Sequence, residues 1–178
     1  PYLDHLLNPD IRVLSVDAKG GFGKTLWALA AGLFQVYQGT YEKILYLGSL
    51  ATAEGDIGYR RGDKAAKIHD KIQPAKRALR EIFTDFSKQH PEHRGRVEDF
   101  ATGLENFGVV EYDVIVDIKG STYLNTFGIV DEAHLYTLDE AGLILGRFGH
   151  GSKVVALSAI EQLRSSTKVG RLLNERTA

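Results

Sequence analysis

The sequence predicts an α/β fold around a mainly parallel sheet, and three observations carry that reading. Short apolar runs rich in branched residues alternate with longer helical stretches. A glycine cluster, Gly20, Gly21 and Gly23, lies between the first such run and the first helical stretch. A later apolar run ends in two consecutive acids, Asp131 and Glu132.

In chain order, Ile11 to Val16 reads as a strand. Thr25 to Tyr37, rich in alanine and leucine with apolar residues on most faces, reads as a buried helix. Lys43 to Leu47 is a second strand, so the opening is a βαβ unit with a right-handed crossover. Gly48 to Asp63 is a long glycine-bearing loop, of the length that function usually explains. Lys64 to His90 is amphipathic and charged; Pro74 inside it predicts two helices or one kinked helix. A short helix follows over Asp99 to Asn106, then a strand or hairpin arm over Val109 to Ile118. Phe127 to Val130 is a third parallel-type strand, Leu138 to Phe148 a helix, Lys153 to Leu157 a strand and Ser165 to Glu175 a terminal helix. No internal repeat or interdomain linker is visible, so residues 1–178 are expected to form a single domain.

Composition narrows the function classes. Of 178 residues 43% are apolar and 25% charged, as in a folded soluble domain. The net charge of −1 gives no global electrostatic case for nucleic acid or membrane. The absence of cysteine excludes disulfides and thiolate chemistry. With no apolar run long enough to span a bilayer and no signal peptide, no membrane partner is expected and a cytoplasmic location is. Methionine is also absent, even at position 1, which points to a fragment or to an engineered composition.

Residues 18–25 read Ala-Lys-Gly-Gly-Phe-Gly-Lys-Thr. They match the P-loop pattern G-x-x-x-x-G-K-[ST] at every fixed position but the first, where Ala18 replaces glycine. Small residues let backbone N–H groups of Lys19, Gly20, Gly21, Phe22 and Gly23 turn inward around phosphate oxygens. The helix that follows directs its positive end at the same anion. Lys24 reaches the outer phosphates, and Thr25 offers a hydroxyl to magnesium. A glycine turn that binds nothing is the bland alternative; the position between an apolar strand and a buried helix argues against it. Asp131 then suits a role in holding Mg2+, and Glu132 in orienting or deprotonating an attacking water. The alternative is that both acids cap a helix or are solvated. His134 follows them, near where a γ-phosphate would lie, and the six histidines form no metal pattern. ATP with Mg2+ is the expected ligand.

Beyond these motifs the sequence resembles the PhoH-like P-loop ATPases, in particular the PhoH domain of proteins that join it to a PIN-type nuclease domain. The likeness covers nearly the whole chain. It rests on Gly23 to Leu33, Asp56 to Tyr59, Gly62 to Lys64 with Lys67, Gln73-Pro74, Lys119-Gly120, Asn125 to His134 and Gly149 to Val155. The resemblance implies a three-layer α/β/α sandwich of the RecA-like, superfamily-one helicase-like kind. It also implies ATP hydrolysis linked to RNA, and a ring-shaped homo-oligomer. By position it assigns phosphates and magnesium to Lys24 and Thr25, magnesium and water to Asp131 and Glu132, and γ-phosphate sensing to Gln162. The chain departs from the family where Gly48-Ser49 replaces Arg-Pro, Arg60-Arg61 replaces Leu-Pro, and Lys119-Gly120-Ser121 replaces Arg-Gly-Arg. It departs again where His134 replaces glutamine and Leu157-Ser158-Ala159 replaces Thr-Gly-Asp. Elements of binding are kept and elements of coupling altered. An ATPase is therefore weighed against a nucleotide-binding scaffold or engineered variant with little hydrolysis, and against a small-molecule kinase. Arg60, Arg61, Lys64, Lys67 and Lys71 form a basic run that is either an RNA-facing surface or a solvated helix face.

Overall fold

The computed structural model describes residues 2–49, 64–114, 118 and 120–159, with side chains in its longest helix from residue 69 onward. Among the described residues five strands, β1 (Val13–Asp17), β2 (Lys43–Gly48), β3 (Val110–Val114), β4 (Thr126–Val130) and β5 (Lys153–Ser158), form one sheet in the order β1-β5-β4-β2-β3. Every pairing is parallel. The helices are α1 (Tyr2–Leu7), α2 (Lys24–Tyr37), α3 (Lys64–Gln89), α4 (Val97–Asn106) and α5 (Leu138–Leu145). The α/β reading with a parallel sheet is therefore correct.

Topology and handedness together explain the layering. The connections from β1 to β2 through α2, and from β2 to β3 through α3 and α4, run in one direction along the sheet. The connection from β4 to β5 through α5 runs the other way. Right-handed crossovers then put α2 and α3 on one face and α5 on the opposite face. The buried side chains agree. Ile44, Tyr46, Phe127, Ile129, Val155 and Leu157 pack with residues of α1, α2 and α3, whereas Leu45, Leu47, Val130 and Val154 pack with Ile144 of α5. Because β2, β4 and β5 are covered on both faces, their sequences are continuous apolar runs rather than alternating ones. β1 has a neighbour on one side and alternates between exposed and half-buried positions.

The structure decides between alternatives that the sequence left open and moves some boundaries. α3 continues through Pro74 as one helix. Burial of Ala75, Ala78 and Leu79 against the core holds it there, so packing outweighs the proline penalty. β3 pairs in parallel with β2, which removes the hairpin alternative. α5 stops at Leu145, one residue before Gly146. The terminal helix expected at Ser165 to Glu175, and most of the loop expected at Gly48 to Asp63, lie outside the described residues.

α1 was not anticipated. It is six residues long, too short to stand alone, and is fixed by distant groups. Lys153, fully buried at the start of β5, donates to the carbonyls of His5, Leu6 and Asn8 at 2.7, 2.7 and 2.8 Å. Gln35 Nε2 donates to Leu6 O at 3.0 Å. The ammonium thus sits at the negative end of the helix dipole and caps the carbonyls there. Burial pushes the Lys153 amine down to about 8. Among the described residues no helix is long and apolar enough to cross a membrane.

Candidate functional site

A parallel sheet brings all its carboxyl ends to one edge. Asp17 lies level with Ser158, and Leu47 with Val130. The segments just beyond these strands therefore share one space, the place where open α/β sheets bind ligands.

The phosphate-loop pattern occupies the segment after β1. Gly21 and Gly23 have φ of 83° and 69°, in the left-handed region that costs other residues about 1–2 kcal/mol. Gly23 is the residue from which α2 departs, so the loop ends on a helix N-terminus. Ala18 has no positive φ, which is why the first motif position tolerates a side chain here. Its N–H donates to Ser158 O at 3.2 Å and ties the loop to β5. Lys24 Nζ donates to the Ala18 and Lys19 carbonyls, and Tyr2 Oη donates to Lys24 O at 3.1 Å, pinning the helix start from outside.

The acidic pair follows β4. Asp131 is 8% exposed, and both its oxygens are engaged. Oδ2 accepts from Thr25 Oγ1 at 3.2 Å and from Tyr46 Oη at 2.6 Å; Oδ1 accepts from its neighbour's backbone, Glu132 N, at 3.0 Å. Burial, and then the Asp131 charge, push the Tyr46 phenol far above its ordinary value, so it remains a donor. The sequence reading missed Tyr46. Its one signal is a hydroxyl in the otherwise aliphatic run of β2, because a buried phenol needs a partner. Glu132 takes a left-handed backbone, φ 52°, without being glycine, and its side chain is half exposed. Such strain, about 1–3 kcal/mol, concentrates at functional turns.

These segments enclose a cleft of about 370 Å³. Gly20, Gly21, Phe22, Gly23, Lys24, Thr25, Asp131 and Glu132 all line it, so nearly every candidate site residue meets there. Lys19, whose carbonyl accepts from Lys24 Nζ, does not line the cleft, and Gln162 lies outside the described residues. His134 does not line the cleft; its ring is 5% exposed and turned toward Glu132 and Ala159. Tyr46, Gly48, Asp70, Lys71 and Ala159 are also in the wall. At Gly48 a Cβ would stand 2.9 Å from the Lys71 carbonyl oxygen, so α3 occupies the space that a larger residue would need. Of the basic run expected at Arg60 to Lys71, the described side chain is that of Lys71.

Thr25 and Asp131 present adjacent hard oxygen donors, which suits magnesium. That ion takes one or two protein oxygens and completes its shell with phosphates and water. Among the described residues no cluster of three or more His, Asp or Glu forms a separate metal cage.

The family model for PhoH-like protein matches residues 1–174. Protein PhoH2 of Bacillus subtilis (strain 168) is 33% identical over 162 residues, covering 90% of this chain and 35% of that protein. Protein PhoH2 of Thermobispora bispora is 30% identical over 171 residues, covering 95% and 36%. The PhoH-like protein of Bacillus subtilis (strain 168) is 24% identical over 143 residues, covering 80% and 41%. The chain thus spans little more than a third of the PhoH2 relatives' length. With the family model covering all but the last four residues, and the phosphate loop and acidic strand meeting at one cleft, the chain belongs to the PhoH-like family.

Proposed function

We propose that the chain is a nucleotide-binding domain that takes ATP with magnesium and hydrolyses it slowly. The observation that carries the reading is the hydrogen bond from Thr25 to Asp131, 3.2 Å long. It joins the phosphate loop to the acidic strand at the point where a hydroxyl and a carboxylate can share one metal ion with bound phosphates.

In this reading the backbone from Lys19 to Gly23 cradles phosphate oxygens, and Lys24 exchanges its carbonyl partners for the outer phosphates. Thr25 and Asp131 hold Mg2+, directly or through water. Glu132 orients the attacking water and takes its proton, and Gln162 senses the γ-phosphate. Magnesium supplies positive charge against the charge that develops on the transferring group. Slow turnover is supported by two positions. Gly48 is packed against α3 and carries no arginine, and Ala159 offers no acid at the tip of β5. Loss of one such preorganised group typically costs on the order of 10²–10³ in rate. Lys71, beside Gly48 in the cleft wall, is the cation that α3 can offer instead.

Coupling to RNA, a ring of identical subunits and a cytoplasmic site of action extend the same proposal through the family. Arg60, Arg61, Lys64, Lys67 and Lys71 would then meet phosphate backbone, with an affinity that falls steeply with salt.

Calorimetric titration with ATP and Mg2+, followed by a phosphate-release assay with and without RNA, tests the reading. Release without an added acceptor marks a hydrolase rather than a kinase. Binding with no release favours the scaffold, and no binding rejects the proposal.

A further inference from the structure

The turn after Glu132 contains a contact that binding does not use. The Ala159 backbone N–H donates to His134 Nδ1 at 3.2 Å. A backbone N–H can only donate, so Nδ1 must accept, and the proton of the neutral ring lies on Nε2. That nitrogen stands 3.4 Å from Glu132 Oε2. Such contacts are often long before a ligand is bound and shorten in the reactive complex. The ring itself is 5% exposed, whereas the Glu132 side chain is 47% exposed and would otherwise sweep through solvent. One imidazole therefore connects the tip of β5 to the carboxylate that faces the cleft.

We infer that His134 is a positioning residue for Glu132: it fixes the bearing of that carboxylate by donating from Nε2, while Ala159 N–H fixes the ring through Nδ1. The inference rests on the assignment of Glu132 as the water-orienting base. The end of β5, which carries no acid of its own, then acts on the reaction through this histidine. Ala159 contributes its backbone rather than its side chain, so the loss of an acidic residue at this position does not disconnect β5 from the site. The arrangement also says which substitution can replace histidine. Glutamine can accept from Ala159 N–H with its amide oxygen and donate to Glu132 with its amide nitrogen. Phenylalanine keeps the ring shape and can do neither.

The test compares wild type, His134→Phe and His134→Gln for ATP–Mg2+ affinity by calorimetry and for kcat by single-turnover phosphate release. The expected result is a kcat lowered about 10–100-fold in His134→Phe, the usual cost of losing a supporting hydrogen-bond partner, with affinity unchanged. His134→Gln should recover most of the rate. An unchanged kcat in His134→Phe, or a His134→Gln no faster than His134→Phe, would overturn the inference. A second readout does not depend on turnover. In 15N spectra of the wild type the His134 ring should show a protonated Nε2 and a bare Nδ1, and the Nε2 signal should move in Glu132→Gln. The opposite tautomer, or a ring indifferent to Glu132→Gln, contradicts the inference even if His134→Phe does not fold. A wild type that releases no phosphate but shows this ring signature refutes hydrolysis and leaves the positioning contact standing.

Discussion

On the glycine-loop side of the cleft, residues 18–25 take their shape mainly from two glycines of positive φ and a helix start, with two distant ties, Ala18 N–H to Ser158 O and Tyr2 Oη to Lys24 O. On the acidic side, Asp131 to His134 take theirs from partners far off in sequence. Thr25 is 106 residues from Asp131, Tyr46 is 85, and Ala159 is 25 from His134. The first side is a local backbone device and the second a side-chain network assembled by the sheet. Substitutions elsewhere in the chain should therefore leave phosphate binding intact and fall on the alignment of Asp131 and Glu132. Of the departures from the family pattern, His134 and Ala159 are joined by a hydrogen bond on the second side, whereas Ala18 lies on the first.

The sharpest separation of the two sides is expected from Glu132→Gln. It should lower phosphate release by about 10²–10⁴ and leave ATP–Mg2+ affinity unchanged, because general-base catalysis is lost and the cradle is not. Single-turnover assays and calorimetry on one preparation measure both, and a parallel loss of affinity would show that the sides are not separable. Next in size, Tyr46→Phe removes a short hydrogen bond to a buried carboxylate. It should cost about 1.5–3 kcal/mol of stability in urea unfolding, as charge-assisted bonds do. An unshifted midpoint would mean that the network does not hold Asp131.

Gly21→Ala probes the local side. A Cβ there would meet nothing within 4 Å, so the cost is purely conformational. At φ 83° it should be about 1–2 kcal/mol, with a comparable loss in phosphate affinity; a silent substitution would show that the loop does not need this backbone.

A pH test concerns the anchor of α1, Lys153. Its folded value, about 8, lies below the ordinary 10.5, so the charged amine is disfavoured in the folded state. Between these values the unfolded chain binds more protons, and stability should rise with pH. Below about 8 both states are protonated and the slope disappears. Tyr2 and Tyr136, pushed up to about 12 mainly by burial, act in the opposite sense once pH exceeds their ordinary 10.0. The rise is therefore confined to the window between about 8 and 10. Denaturant midpoints at several pH values, with Lys153→Met as the control that should lack the slope, measure it.

The same contrast explains what could be read in the sequence. The glycine loop between β1 and α2 was legible because its glycines, lysine and threonine lie close together and its flanking strand and helix are strongly patterned. The strands β2, β4 and β5 were legible as apolar runs for the same local reason. Asp131 and Glu132 were legible as a pair, but not what holds them. Nothing near Tyr46 announces its bond to Asp131, and His134 was expected near the γ-phosphate rather than turned toward Ala159. α1 was invisible because Lys153 and Gln35, which fix it, are remote in sequence. Pro74 left two helices or one kinked helix open, and burial of the residues that follow it decides for one helix.

The most direct measurement is titration of ATP with Mg2+ into the wild type and into Lys24→Ala. The lost contact is charge-assisted, so the variant should bind about ten- to a hundredfold more weakly, corresponding to roughly 1.5–3 kcal/mol. Its unfolding transition should be retained, because among the described residues the Lys24 amine bonds to the Ala18 and Lys19 carbonyls of the loop. Equal affinity in the two proteins would contradict the assignment of this loop as the phosphate site.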